Sequence, residues 1–272
     1  MPAAALVTTD PSSLIDLARY PILDPDAAAM RDVLAWARAQ LRETGACEVP
    51  GFLTPAGLAT IRDDAVALAP TAHRGEGYGT AYLELPDFEL AEDHPRRWIG
   101  RAAVGVVAYD MFPAESPLRC LYEWDPFMRF IEAVLERGRL YRYADPLGAL
   151  NLAVMGDGDE LQWHFDMTDF VVSLAVQDAD EGGDFEVAPR IRSAADERYD
   201  AVGGVLRGER DAVIRLPMTP GTLLIFEGRH SVHRVSRIGG ATDRLVGLLA
   251  YDTKPGTCST ELLRLARYGR IG

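Results

Sequence analysis

The sequence predicts a mainly β fold of the jelly-roll type, supported by helices at its N-terminal end. Residues 1–139 carry mostly helical patterns, whereas residues 140–255 contain many short apolar runs of strand length. Glycine-containing turns separate many of these runs, as at Gly156-Asp-Gly158 and Glu181-Gly-Gly-Asp184. No linker or repeat divides the chain, so we expect one domain over residues 1–272.

The individual elements follow from apolar spacing and from residues that start or stop helices. Gly45 is a natural helix stop and Thr54 is a natural helix cap, whereas residues 1–12 have the character of a loose tail. The predicted helices lie at 26–44, 54–68, 117–138 and 259–268, the last of them within a C-terminal segment 256–272. The predicted strands are an edge strand at 46–52 and core strands at 140–143, 149–155, 161–165, 170–176, 185–187, 213–216, 223–226, 232–238 and 245–251.

Two polar segments interrupt this series. In residues 71–100, Gly75, Gly77 and Gly79 alternate with aromatic and charged residues, and the segment is too long for a simple turn. It is either a lid or substrate loop, or an ordinary surface loop. The second segment, about 193–207, has a helical pattern, and we expect both segments to close over the functional site.

Composition limits the class of partner. The formal net charge is −13, so nucleic acids and anionic membranes are unfavourable partners, whereas a small molecule is acceptable. The three cysteines, Cys47, Cys120 and Cys258, are scattered and predict no disulfide framework, as is typical of a reducing cytoplasm. The N-terminal residues do not resemble a signal peptide, and no apolar run reaches the roughly 18 residues of a membrane span. We therefore expect a cytoplasmic protein, and the sequence does not predict its oligomeric state.

One stretch carries the strongest chemical signal. His164 and Asp166 lie two residues apart in a strand-like run, and the period of a strand places both side chains on one face. Such a pair alone is more often hydrogen-bonded than metal-binding. His233, which follows the apolar run 222–226, supplies a candidate third ligand. Two histidines and one carboxylate on one face suit non-haem Fe(II) oxygen chemistry.

Two further residues fit a 2-oxo acid bound beside such a metal. Arg244 follows His233 by eleven residues and starts the next strand, where its fork of donors could bind a distal carboxylate. By itself, Arg244 would more often be a surface ion-pair residue. Asn151 lies on the strand before His164, and is either a hydrogen-bonding partner of the oxo acid or an exposed strand residue.

With these residues in this order, the chain resembles the Fe(II)/2-oxoglutarate-dependent dioxygenases with a double-stranded β-helix core, over about residues 148–255. Within that superfamily it is similar to a bacterial branch that acts on free amino acids and includes lysine-type halogenases and their hydroxylating relatives. The motifs that carry this second similarity are Trp163-His-Phe-Asp166, Phe170-Val-Val-Ser-Leu-Ala-Val-Gln177, Gly182-Gly-Asp-Phe-Glu186, Phe226-Glu-Gly-Arg229 and His233-Arg-Val235.

The resemblance implies a catalytic domain with Fe(II) as the metal and 2-oxoglutarate and O₂ as cosubstrates. It also implies His164, Asp166 and His233 as ligands and Arg244 as the 2-oxoglutarate anchor. Halogenases of the branch replace the carboxylate ligand by Gly or Ala, so Asp166 indicates hydroxylation or another C–H oxidation, such as desaturation. The implied substrate is a free amino acid or a small amino-acid-derived metabolite. Residues 245–250 are apolar where lysine-type relatives carry polar contacts, so lysine itself is in doubt.

The substrate contacts rest on weaker signals. The candidates are Arg101, Glu84, Asp169 and Trp163, of which the first three are more often surface residues and the last is a core or pocket-wall residue. Three other histidines are not expected to bind metal: His230, which is a pocket-rim or a structural residue, and His73 and His94, which we expect to be solvated. Two alternatives remain: a non-catalytic, cupin-like protein that binds metal or 2-oxo acid, and an oxygenase of the phytanoyl or ectoine type with another small substrate.

Overall fold

A computed structural model describes residues 9–272 as helices packed on an antiparallel β-sheet that nearly closes on itself. The helices are α1 (Ala28–Thr44), α2 (Pro55–Leu68), α3 (Pro117–Glu123), α4 (Asp125–Leu135), α5 (Tyr199–Arg207) and α6 (Glu261–Tyr268). The strands are β1 (Ala46–Val49), β2 (His73–Gly79), β3 (Gly100–Val107), β4 (Tyr141–Arg142), β5 (Leu150–Met155), β6 (Glu160–His164), β7 (Val171–Gln177), β8 (Phe185–Ala188), β9 (Ile214–Leu216), β10 (Leu223–Phe226), β11 (Val232–Val235), β12 (Arg244–Leu249) and β13 (Tyr251–Asp252).

The main sheet forms two facing layers. Its strand order is β1-β10-β7-β12-β5-β3-β6-β11-β8-β9, with β2 added to β3, while β4 and β13 form a separate pair. Residues 105–107 of β3 pair with β5 and residues 102–103 pair with β6, so β3 passes from the larger layer to the smaller one. Between the layers lies the interior cluster, which consists of Ala46, Met155, Ala175, Phe185, Val187, Met218, Leu224, Phe226, Val235 and Ile238.

The helices α1 to α4 cover the outer face of the larger layer. Strand β7 is apolar on both of its faces. Val172 and Leu174 pack in the core beneath the helices, whereas Ala175 points the other way and belongs to the interior cluster. Aromatic residues anchor the helical side, and the ring of Phe52 lies 5.6 Å from that of Phe127. The functional interior is therefore supported by a thick apolar core on one side.

Most predicted elements are confirmed. Helix α1 ends at Gly45, which has a φ of 70°, and the hydroxyl of Thr54 accepts from the backbone N–H of Gly57 (2.9 Å) at the start of α2. The jelly-roll class and the edge position of β1 are confirmed as well. The predicted helix 117–138 is two helices, because Pro126 lacks an N–H and its ring would clash with a helical turn before it, so the chain is extended at Trp124.

Other boundaries were wrong. The glycine-containing part of segment 71–100 is strand β2, which pairs along its whole length with β3, and only the connection 80–99 is loop-like. The insert 193–207 is helical only from Tyr199 onward. The predicted tail lies partly outside the described residues, and residues 11–14 form a 3₁₀ turn. No helix within residues 9–272 is both long enough and apolar enough to cross a membrane.

Gly57 tests the packing of α2 against the N-terminal segment. A Cβ at this position would lie 2.2 Å from the carbonyl oxygen of Leu14, a backbone atom that cannot easily move. We expect Gly57→Ala to lower the free energy of unfolding by about 1–3 kcal/mol, as overpacking does, in a urea titration. Gly77→Ala on β2 meets no atom within 4 Å and is the control, with an expected change within about 0.5 kcal/mol. Equal unfolding midpoints for the two variants would contradict this packing.

Candidate metal centre

Two histidines face each other across neighbouring strands. His164 on β6 and His233 on β11 are direct partners in the antiparallel register, and their ring centroids are 4.2 Å apart. The register shifts between this pair and the pair Leu161–Val235, so β6 carries one extra residue there. This bulge turns both Leu161 and His164 toward the interior, which strict alternation would not allow.

Asp166 completes the cluster from a loop. It lies two residues beyond the end of β6, so the prediction that Asp166 and His164 share one face of a strand was wrong. Their side chains nevertheless lie close together, as predicted. Its backbone N–H donates to the carbonyl of Gly228 (3.1 Å). One carboxylate oxygen is 3.9 Å from Nε2 of His164, and the other is 3.4 Å from Nε2 of His233. The ligand atoms of these three residues, the metal triad, all lie within 4.8 Å of one another.

Hydrogen bonds fix how the imidazoles are presented. Nδ1 of His164 lies 2.8 Å from the carbonyl oxygen of Gln162, and Nδ1 of His233 lies 2.9 Å from that of Ser231. A carbonyl can only accept, so each Nδ1 carries the proton and each Nε2 offers a lone pair to the triad. Burial, with help from the neighbouring His233, lowers the pKa of His164 to about 4. His164 is therefore neutral at neutral pH, which is the form that binds a metal.

The carboxylate of Asp166 has an unsatisfied oxygen. Its Oδ2 is buried without a hydrogen-bond partner among the described residues. Gly228 makes room for it, because a Cβ there would lie 1.7 Å from that oxygen. A buried anionic oxygen without a partner is costly, and a cation between it and two imidazole lone pairs would satisfy it. The donor set, two nitrogens and one oxygen on one side, fits Fe(II).

Arg244 is a second unsatisfied charge in the same interior. Its side chain is 7% exposed, and no carboxylate within residues 9–272 forms an ion pair with it. Burial lowers its pKa to about 10, opposed by the more distant charges of Asp178 and Asp184, so it remains a cation at neutral pH. A Cβ at Gly183 would lie 2.8 Å both from Cδ of Arg244 and from Ile238 of the interior cluster. A buried guanidinium of this kind suits a carboxylate ligand.

The interior cluster connects Arg244 with the metal triad. Arg244 pairs in register with Met155, a member of that cluster. The rings of Phe226 and Phe185, two other members, lie 4.9 and 5.6 Å from the ring of His233. The fold therefore brings both predicted features, the triad and the arginine, to one interior.

Asn151 has other partners. It is buried on β5, its amide nitrogen donates to the carbonyl of Leu147 (2.8 Å), and its oxygen accepts from the hydroxyl of Tyr268 (2.9 Å). The predicted hydrogen bond to an oxo acid would have to replace one of these bonds. Asn151 thus has a clear structural role, and its cofactor role stays a prediction.

The four predicted substrate residues are not brought together. Arg101 pairs with Glu76 and Glu160, Glu84 pairs with Arg96, and Asp169 pairs with Arg229 and Arg137. Trp163 packs on the outer face of the smaller layer, with Phe165 and Val232, and so points away from His164. Of the four, only Asp169 lies in the loop that carries Asp166.

The remaining histidines lie outside the metal triad. His230 is half-buried, with an Nδ1 that has no partner among the described residues. His73 is exposed, as predicted. The prediction that His94 is solvated was wrong, because its ring lies 4.4 Å from that of Tyr199 and its Nδ1 accepts from the backbone of Arg96 (3.2 Å).

Arg192 is a residue of the site that the sequence did not predict. Its guanidinium lies 3.7 Å from the ring centroid of Phe165, the neighbour of Asp166. It also donates to the carbonyl oxygen of Arg229 (3.0 and 2.8 Å) and pairs with Glu197 (2.8 Å). Arg192 therefore holds the chain on both sides of the triad carboxylate, next to Asp166 and next to Gly228. Nothing local in the sequence distinguishes it from other arginines of a polar insert.

The two polar segments meet at the same place. The carbonyl of Ala81 accepts from the backbone N–H of Phe165 (2.8 Å), and the ring of Tyr82 lies 5.3 Å from that of Phe165. Tyr199 of the insert lies 6.0 Å from Tyr82. Because Phe165 lies on the outer face of the smaller layer, these contacts hold the chain that leads to Asp166, and the lid role of the first segment stays a prediction.

No family model matches the sequence, and no curated protein is significantly similar to it. Solved structures are similar in fold. An oxidoreductase of the 2OG-Fe(II) oxygenase family from Burkholderia pseudomallei superposes with a TM-score of 0.51 at 17% identity, over 80% of this chain and 90% of that one. The chain has the fold of the 2-oxoglutarate/Fe(II) oxygenases.

Two further structures are similar to the chain in the same way. AviO1 from Streptomyces viridochromogenes Tue57 has a TM-score of 0.56 at 16% identity, covering 83% of this chain and 97% of that one. The epimerase SnoN, in complex with Fe3+, alpha ketoglutarate and nogalamycin RO, has a TM-score of 0.56 at 15% identity, covering 85% and 93%. The predicted jelly-roll core is thereby confirmed.

Gly228 tests whether the triad carboxylate is seated for a metal. We expect Gly228→Ala to weaken Co(II) or Fe(II) binding at least about ten-fold in anaerobic calorimetry, because the added methyl would displace Oδ2 of Asp166. Gly77→Ala, on the exposed strand β2, is the matched control and should bind like the unmodified protein. Unchanged affinity in a folded Gly228→Ala protein would show that Asp166 is not a ligand.

Proposed function

We propose that this protein is an Fe(II)- and 2-oxoglutarate-dependent oxygenase that hydroxylates an unactivated C–H bond of a free amino acid or a small amino-acid-derived metabolite. The observation that supports it best is the metal triad, in one interior with Arg244: within residues 9–272, the buried oxygen of Asp166 has no hydrogen-bond partner and Arg244 has no ion pair. When bound, Fe(II) would allow O₂ to oxidise 2-oxoglutarate to succinate and CO₂, with one atom of O₂ entering succinate and the other entering the C–H bond of the substrate.

The residues of this chain have separate tasks in that reaction. His164 and His233, locked as Nδ1–H tautomers by backbone carbonyls, would hold the metal from one side. Asp166, seated against Gly228, would supply the third ligand and leave the opposite side open. Arg244 would bind the distal carboxylate of 2-oxoglutarate as a fork, which orients the 2-oxo acid toward the metal and lowers the entropic cost of reaction.

The retained carboxylate supports hydroxylation as the outcome. A halogenase of the resembled branch leaves this ligand position free for chloride, whereas Asp166 fills it. Because Gly228 has no side chain, the carboxylate of Asp166 has space beside it. The residues at positions 166 and 228 therefore fit each other in a way that keeps the carboxylate ligand in place. We therefore propose hydroxylation, or another C–H oxidation such as desaturation, ahead of halogenation.

An amino-acid-like small molecule is the proposed substrate. The branch resemblance supports it, and so does the net charge of −13, which disfavours nucleic acids and anionic membranes. The connection 80–99 and the insert 193–207 meet at Phe165 on the outer face of the smaller layer, and we propose that from there they extend over the opening and exclude water from the reaction. We also propose that residues 1–272 form a single catalytic domain. A cytoplasmic location is proposed as well, because Cys47, Cys120 and Cys258 are free thiols, as is usual in a reducing compartment.

Arg244 provides a direct test of cosubstrate binding. Mixed anaerobically with Fe(II) and 2-oxoglutarate, the protein should show the weak visible charge-transfer band of the chelate. We expect Arg244→Gln to weaken 2-oxoglutarate binding at least about 30-fold, because a buried charged hydrogen-bond donor is lost. Arg237→Gln, at an exposed position, is the control. Absence of both the band and succinate formation would refute the proposal, and 2-oxoglutarate binding without oxygen consumption would favour a non-catalytic binder.

Asp166 tests the reaction outcome. We expect Asp166→Gly to abolish hydroxylation by loosening the metal, with no gain of one oxygen atom in products analysed by mass spectrometry. Added chloride tests whether the opened position accepts a halide. A chlorinated product from the unmodified protein would show that the assignment as a hydroxylase is wrong.

A further inference from the structure

Helix α6 and the residues after it carry three arginines with different surroundings. Arg264 pairs with Asp145 (3.2 Å), and Arg270 forms two hydrogen bonds with Asp110 (2.8 and 2.6 Å). Arg267, between them, is exposed and has no ion pair with any carboxylate of residues 9–272. The outer two arginines attach this segment to the body of the protein, which leaves the middle one free for another anion.

The end of α6 reaches the interior of the barrel. Tyr268, next to Arg267, is buried, and its hydroxyl donates to the side-chain oxygen of Asn151 (2.9 Å). Asn151 lies on the same face of β5 as Met155 of the interior cluster. The helix also packs closely on β2, since a Cβ at Gly75 would lie 3.3 Å from the carbonyl oxygen of Ala266. The backbone of Arg267 is thus held at the opening of the barrel.

The strand directions show which opening this is. Strands β5 and β6 are consecutive and joined by the turn 156–159, so Met155 and Glu160 share one end of the barrel. Asn151 and His164, near the far ends of these two strands, share the other end. Arg244 pairs with Met155 and so lies at the first end. The end of α6 is therefore on the side of the metal triad and away from the proposed 2-oxoglutarate anchor.

Electrostatics agree with this placement. Burial raises the pKa of Tyr143 to about 12, and the charge of Arg267 opposes this rise. Arg267 therefore acts on Tyr143, which lies beside the start of β5, because the backbone N–H of Tyr143 donates to the carbonyl of Ala250 and that of Ala250 donates to the carbonyl of Ala149.

We propose that Arg267 binds the carboxylate of the substrate at the metal end of the barrel. This inference rests on the proposed function and extends it, because an amino acid needs a cation for its carboxylate and none of the four sequence-predicted contacts lies free to provide one. A guanidinium offers a fork of donors that matches a carboxylate. With Arg244 at one end and Arg267 at the other, two carboxylate-bearing ligands would be received at separate places, each with its own arginine.

The test compares amino acids with their carboxamides. The standard L-amino acids and the corresponding carboxamides are added to the protein with Fe(II) and 2-oxoglutarate. Substrate-triggered succinate release is measured in air, and perturbation of the charge-transfer band is measured anaerobically. We expect the unmodified protein to respond to at least one amino acid and not to its carboxamide. Arg267→Gln should raise the half-maximal concentration of that amino acid at least about ten-fold, and Arg267→Lys should restore part of the response.

Controls separate a contact from a structural effect. Arg237→Gln, at an exposed position beside the turn 156–159 at the opposite end of the barrel, should respond like the unmodified protein. The 2-oxoglutarate affinity and thermal midpoint of Arg267→Gln should stay unchanged. An equal response to amino acid and carboxamide, an unaltered response in Arg267→Gln, or no response to the whole panel overturns the inference. If the charge-transfer band is lost in Arg267→Gln but present in the unmodified protein, Arg267 is reassigned to binding of the cosubstrate. If the unmodified protein also lacks the band, the proposed function is overturned as well.

Discussion

The pairing of β6 with β11 is the constraint on which the rest of this structure depends. It sets His164 directly opposite His233, although β7 to β10 and α5 lie between these two strands in the chain. The intervening segments must therefore leave the smaller layer, build parts of both layers and return in register. A slip of one residue would turn an imidazole to the outer face, so the hydrophobic pattern of both strands and the bulge beside them fix the ligand geometry.

The interior around this pair holds polar groups that the fold itself does not satisfy. Asp166 has a buried oxygen without a partner in the described chain, and Arg244 is a buried cation without an ion pair. Buried groups of this kind cost free energy, and folded proteins satisfy nearly all of them internally. Here one anionic and one cationic group lie in the same interior without neutralising each other. Two separate ligands, a cation at Asp166 and an anion at Arg244, would offset both costs, whereas a purely structural core would replace them with apolar residues.

The sequence predicted those parts of the site that depend on local order and missed those that depend on distant contacts. His164, His233 and Arg244 lie in strand-like runs, so the period of a strand and the order of the motifs were sufficient to place them. Asp166 lies in a loop because β6 ends at His164, and its approach to the histidines depends on the distant backbone contact with Gly228, which no local pattern reveals.

Arg192 and Arg267 act through residues far away in sequence, and their neighbours do not distinguish them from surface arginines. Charge alone was a poor guide to substrate contacts. Arg101 pairs with Glu76 within the hairpin of β2 and β3, and Glu84 pairs with Arg96 within the connection 80–99. Exposed charged residues commonly form surface ion pairs of this kind.

The net charge of the protein places a requirement on how its ligands are recognised. With a formal charge of −13, the surface as a whole repels 2-oxoglutarate and any carboxylate-bearing substrate at long range. Salt screens this repulsion beyond about 8 Å at physiological ionic strength, but a buried cation is screened far less. Attraction must therefore come at short range, from guanidinium groups placed where water is excluded. Arg244 meets that condition through burial in the barrel, whereas Arg267 at the other end is exposed and would meet it once a bound substrate covers it. An acidic surface with arginines at the two ends of one interior selects its anions by fixed geometry and not by bulk attraction.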